Sequence, residues 1–145
     1  MIWTELTKKA YLIACHAHCG QVDKGGSPYI IHPCTLAAQM PTEETAAVAL
    51  LHDVLEDSDV TETDLLEHGI PKSIVQTVSL LTRPPRGTYL DYIRELRGNP
   101  IAAIVKKADL EHNMDLTRLG HPPTDQDISR QNRYRKALEI LNSES

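Results

Sequence analysis

Apolar positions recur along this chain every three or four residues, and almost nowhere do they alternate with polar ones. The first spacing is that of a helix with one inner face; the alternation that would mark half-buried strands is nearly absent. A first helix is expected over Thr4–Cys19, with Leu6, Ala10, Ile13, Ala14 and Ala17 facing inward. Gly20 and the run Asp23-Lys24-Gly25-Gly26-Ser27-Pro28 end it in a loop. His32-Pro33 opens a second helix reaching about Gln39, since proline is tolerated in a first turn. Thr42 is suited to cap a third, entered through Pro41 and Glu43-Glu44. Its body, Thr45–Leu51, is apolar almost throughout, which predicts a rod buried on every side. Thr61-Glu62-Thr63-Asp64 reads as the cap and first turn of a short helix that stops at Gly69. Further helices are expected from Pro71 through Leu81, over Tyr89–Leu96, over Ile101–Leu119 and over Asp127–Leu141. The last should turn Ile128, Tyr134, Leu138 and Leu141 inward. The expectation is a compact all-α, multi-helix bundle with short loops, forming one domain over residues 1–145.

The interruptions of the apolar pattern carry the chemistry. The buried rod runs into Leu50-Leu51-His52-Asp53-Val54-Leu55-Glu56-Asp57. On one continuous helix His52 stands above Glu56 and Asp53 above Asp57. Charged groups are rarely buried unless paired or bound to metal. An acidic helix end surfacing into solvent is the plain alternative, and the His-Asp doublet at the edge of the rod favours a metal. His32 alone would be a core or capping histidine, and Asp109 alone a surface acid on an amphipathic helix. Taken with His52 and Asp53 they make two imidazoles and two carboxylates, a set suited to Mn²⁺, Fe²⁺ or Zn²⁺. The lack of a thiolate argues against structural zinc. Glu56 is placed to take a proton from an attacking water. Asp57 can handle the proton at the leaving oxygen or orient Glu56. The sequence leaves their division of labour open.

Weaker signals surround these. His18 stands next to the glycine-rich loop, where it can help bind a substrate, whereas Cys15, His16, His18 and Cys19 do not share one helix face as a zinc site would. Of Lys106 and Lys107, one should face the Asp109 site and the other solvent. Arg83-Pro84-Pro85-Arg86 is either a solvated turn or a reach towards a distal phosphate, and Tyr89 and Tyr92 read as core.

Composition then narrows the partners. The net charge is −5 and the 15 Lys and Arg are dispersed, which argues against a nucleic-acid-binding face. Phe is absent, so a stacking platform for single strands is not expected. A small anionic ligand held by a metal and a few local cations remains compatible. No apolar run approaches bilayer length, and Met1–Glu5 lacks the features of a secretory leader. Three cysteines without disulfide spacing suit a reducing cytoplasm. A cytoplasmic protein with no membrane or nucleic-acid partner is expected; nothing in the pattern dictates an oligomeric state.

The His, His-Asp and Asp combination resembles the HD superfamily of metal-dependent phosphohydrolases. Ala17-His18-Cys19-Gly20-Gln21, with Asp23-Lys24-Gly25-Gly26-Ser27-Pro28-Tyr29-Ile30-Ile31-His32-Pro33, is similar to the opening of the hydrolase domain of RelA/SpoT alarmone enzymes. Leu50–Asp57 matches that family's His-Asp-x-x-Glu-Asp block, and Ala108-Asp109 with His112-Asn113 its last metal motif. The resemblance covers about Lys8 to Leu119. It implies an all-α HD-domain bundle that holds one Mn²⁺, or another divalent ion, and removes pyrophosphate from the 3′ side of (p)ppGpp. It implies His32, His52, Asp53 and Asp109 as metal ligands and Glu56 and Asp57 as catalytic carboxylates. The nucleotide would be held by the loop around Lys24 and by Asn113.

Two departures bear on guanine preference more than on hydrolysis. Asp23 stands where the family carries a basic residue that packs on the base, and Leu110-Glu111 stands where Arg-Leu is common. The chain is too short for a synthetase or regulatory domain, so a stand-alone hydrolase is expected. The alternatives are an HD phosphohydrolase of another nucleotide or phosphoester, and a non-catalytic nucleotide-binding module. The latter would have no need of Glu56 and Asp57.

Overall fold

Short polar side chains decide where most helices begin. In the computed structural model, which describes residues 1–143, the order is α1 (Glu5–Ala17), α2 (Ile31–Ala38), α3 (Glu43–Leu51), α4 (Val54–Asp57), α5 (Glu62–Glu67), α6 (Lys72–Leu81), α7 (Tyr89–Leu96), α8 (Pro100–Asn113), a 3-10 turn at Leu116–Leu119, and α9 (Asp125–Asn142). Thr4, Thr42, Thr61 and Thr124 each accept from the backbone amide three residues on, and that residue's side chain bonds back. Replacing such a cap by alanine costs about 0.5–2 kcal/mol. Asn99 caps α8 ahead of Pro100. Among the described residues there is no strand, only an isolated bridge between Val22 and Pro28. No helix there is long and apolar enough to cross a membrane.

The apolar rod is where the pattern placed it. Every residue from Thr45 to Leu51 is buried, and α1, α2, α6 and α8 pack around α3. Since α2 and α8 also touch each other, the C-terminal end of α3 lies against two further helices that carry polar residues.

Three expectations change. The rod does not continue through His52 and Asp53: α3 stops at Leu51 and α4 restarts at Val54. The His52 ring turns back so that Nδ1 lies 2.6 Å from the Ala49 carbonyl, the acceptor a continuous helix would offer to the Asp53 amide. The helix expected to reach Leu119 stops at Asn113, because the Asp115 carboxylate bonds the Thr117 amide at 3.0 Å and starts a new turn. On α9, Ile128 is half exposed instead of inward; Ala137 and Leu141 are buried, with Tyr134 and Leu138 packed beside them.

Candidate metal centre

Three helices bring ligand-type side chains to one buried point. His32 lies in the first turn of α2, His52 directly follows α3, and Asp109 sits late in α8. All are buried, and one donor atom from each lies within 4.8 Å of the others. His32 Nε2 is 2.7 Å from Asp109 Oδ1. His52 Nε2 is 2.9 Å from Asp53 Oδ2 and 3.6 Å from Asp109 Oδ1. Asp53 touches the cluster through His52 and stands outside the three residues whose donor atoms lie within 4.8 Å of one another.

A second layer of contacts orients these groups. A carbonyl only accepts, so His52 carries a proton on Nδ1, towards Ala49, and turns Nε2 to the cluster. That Nε2 is buried and makes no hydrogen bond. His32 Nδ1 meets His112 Nδ1 at 2.7 Å, with the rings stacked at 5.0 Å. Partial burial and the Arg118 cation push the His112 pKa down to about 4, so its ring is neutral and can accept. With Nδ1 paired to His112, His32 turns Nε2 to the Asp109 carboxylate, which accepts from it. Lys106 Nζ donates to Asp109 Oδ2 at 2.8 Å, Asn113 Nδ2 to Asp109 Oδ1 at 3.1 Å, and the Tyr29 hydroxyl to Asp53 Oδ2.

The electrostatics call for positive charge. Burial works against ionised Asp109, but the Lys106 cation and the two imidazoles hold its carboxyl well below the usual range. Burial would also discharge His52, yet Asp53 and Asp109 outweigh it and raise that imidazole well above its ordinary value. Two ionised carboxylates, an orphaned imidazole nitrogen and fixed ring orientations fit a divalent first-row cation. Glu56 and Asp57 stand on α4, and both carboxyls are raised, first by partial burial and then by the Asp53 charge.

A cavity of about 350 Å³ has His32 in its wall, with Lys24, Tyr29, Asn113, Arg118 and Tyr134. Asp23 lines it too, but its Oδ1 accepts from the Gly25 and Ser27 amides, both at 2.9 Å, and its Oδ2 lies 3.7 Å from Arg118. Gly25 lets this loop close on the 3-10 turn: a Cβ there would fall 2.0 Å from the Arg118 carbonyl oxygen. His18 is buried behind Tyr29 and is not part of the cavity wall. Of the lysine pair, Lys106 faces the site. Arg83 lies over the Tyr89 ring at 5.4 Å.

Sequence reasoning did not single out Tyr29, His112 or Arg118 for these roles. The signal for His112 was its spacing: three residues after Asp109, it shares that residue's helix face. His112→Ala should weaken Mn²⁺ binding by roughly 10–100-fold, because His32 loses the partner that sets its ring. Titration calorimetry with Mn²⁺ checks this, and unchanged affinity would show that His112 does not orient His32.

No protein-family model matches the chain. A Vibrio cholerae protein named guanosine-3′,5′-bis(diphosphate) 3′-pyrophosphohydrolase is 48% identical over 68 residues, 44% of this chain and 10% of that protein. The Escherichia coli bifunctional (p)ppGpp synthase/hydrolase SpoT is 32% identical over 126 residues, 74% of this chain and 17% of that protein. The chain thus spans under a fifth of the length of these curated relatives. A solved structure of a metazoan SpoT ortholog superposes with a TM-score of 0.77 over 99% of this chain and 89% of its own, at 21% identity, which establishes the fold. Motif order, fold and buried donor cluster agree with these likenesses: the chain belongs to the HD-type hydrolase domains of the RelA/SpoT family.

Proposed function

We propose that residues 1–145 form a single-domain, cytoplasmic, Mn²⁺-dependent phosphohydrolase that removes the 3′-pyrophosphate from ppGpp or pppGpp. One observation carries this reading: the buried His32–His52–Asp109 cluster reaches, through His32, a cavity whose wall carries Lys24, Arg118 and Arg130 beside Asp23, Asp115 and Asp127. The names of the relatives support the substrate class. His32, His52, Asp53 and Asp109 would hold the ion. When bound, it would polarise a phosphoryl oxygen and acidify a water molecule. Glu56, ionised, takes a proton from the attacking water. The water oxygen bonds to phosphorus as the P–O3′ bond breaks, and Asp57 serves the proton that the 3′ oxygen gains. Lys24 and Arg118 offset phosphate charge from the cavity wall, and Asn113 bridges that wall to Asp109. Tyr29, Lys106 and His112 keep the ligands oriented.

The test is pyrophosphate release from ppGpp with Mn²⁺, abolished by chelation and restored by the metal. Binding without release would assign the domain to the non-catalytic class.

The Asp23 contacts favour a related reading, in which another nucleotide is also accepted. Its carboxylate is committed to the loop and to Arg118, so position 23 offers no flat cation to a base, an attraction of about 0.5–2 kcal/mol. Adenine and guanine 3′-pyrophosphates should therefore be hydrolysed with kcat/KM values within roughly tenfold of each other, about 1.4 kcal/mol. A guanine preference of several hundredfold would show that the base is read elsewhere in the cavity.

A further inference from the structure

His18 caps the C-terminus of α1 and is 3% exposed. Its ring packs on Tyr29 with centroids 4.8 Å apart. Its Nδ1 lies 2.8 Å from Gln21 Oε1. The other end of Gln21 settles its orientation. The amide nitrogen reaches the main-chain carbonyl of Asp57 at 2.8 Å and that of Ala17 at 3.4 Å. Carbonyls only accept, so the nitrogen faces them and the amide oxygen faces His18. An amide oxygen also only accepts, so His18 donates from Nδ1. This relay therefore runs in one direction, from α1 through Gln21 to the end of α4.

The helix it reaches has little to hold it. Four residues, Val54–Asp57, make a single turn, and an isolated turn is marginal in water. Its terminal carbonyls have no partners within the helix. Ser58 Oγ bonds that of Val54 at 2.7 Å, and Gln21 bonds that of Asp57. The Asp57 carbonyl shares its residue with one of the two carboxylates and adjoins the other.

We propose that His18 and Gln21 are positioning residues for the Glu56–Asp57 pair: His18, buried and donating from Nδ1, fixes the Gln21 amide, which anchors the last carbonyl of α4. This extends the hydrolase reading, since it takes Glu56 and Asp57 as the reacting carboxylates. His18 thereby acts on turnover and not as a wall of the substrate cavity.

The test compares His18→Ala, Gln21→Ala, the double variant and His18→Asn in the full chain, with Mn²⁺ and ppGpp. Asparagine keeps an amide nitrogen near the Nδ1 position and nothing at Nε2. His18→Ala and Gln21→Ala should each lower kcat about tenfold, a loss typical of residues that orient a reacting group. KM should change less than twofold, with bound Mn²⁺ undiminished. The double variant should be no worse than the poorer single one, and His18→Asn should recover most of kcat. Hydrogen exchange at the α4 amides should quicken in both alanine variants and return towards the parent rate in His18→Asn.

Losses that multiply in the double variant would overturn the relay. So would a change confined to KM, or a His18→Asn variant as poor as His18→Ala. Should His18→Ala fail to fold, Gln21→Ala, at a half-buried loop position, carries the test through kcat and exchange. Exchange needs no substrate. Faster exchange in a protein whose parent form does not release pyrophosphate from ppGpp would sink the hydrolase reading and keep the anchor. Unchanged exchange and kcat in a parent-active enzyme would sink the anchor alone.

Discussion

Replacing His52 by alanine is expected to remove both bound metal and turnover. The side chain is buried and presents Nε2 to Asp53 and Asp109 with no competing hydrogen bond. No residue nearby can substitute for that nitrogen, because His32 is already engaged with Asp109 and His112. The loss should exceed the roughly 10–100-fold that follows removal of a residue which only orients a ligand. The apo protein should also melt at a lower temperature, since Asp109 and Asp53 keep their charges after losing a partner that offset them. Elemental analysis and a thermal scan of the variant measure the two effects. Metal content equal to that of the parent protein would show that His52 is not a ligand.

Glu56→Gln should act differently, leaving metal content and fold intact while lowering kcat by about 10²–10⁴-fold. Glu56 lies on α4, outside the hydrogen-bond network of the buried cluster, so the change removes a proton acceptor without disturbing a ligand. Partial burial, followed by the Asp53 and Asp57 charges, raises the Glu56 carboxyl above its ordinary value. A base works only when ionised. The rate of the parent enzyme should therefore rise with pH through that raised pKa, and fall as the medium is acidified past it. In the glutamine variant this limb should be missing from the kcat profile. A variant with near-parent kcat and the same acid limb would move the base to another group, with Asp57 the next to substitute.

The helices were legible because their signals are local. Thr4, Thr42, Thr61 and Thr124 cap within a single turn of themselves, and Thr45–Leu51 has no polar face to expose. The segments bearing His32, His52–Asp53 and Asp109 were legible too, as ionisable residues set against apolar helix faces.

What the local pattern does not carry is which group answers which across the core. His32 meets His112 from 80 positions away, and Gln21 reaches Asp57 across 36. These partnerships exist only once α1, α2 and α8 have packed around α3. The same packing decides the break after Leu51: periodicity carries the helix onward, but the His52 ring takes the Ala49 carbonyl and turns its other nitrogen to Asp53 and Asp109. Ile128 shows the converse, an apolar residue at inward spacing that stays exposed while Ala137 and Leu141 of the same helix are buried. Local spacing thus determined which residues can be helical and which can bind. Long-range packing decided where the rod stops, which nitrogen each histidine presents, and where the two carboxylates stand, because those outcomes depend on hydrogen-bond partners that lie close only in the folded chain.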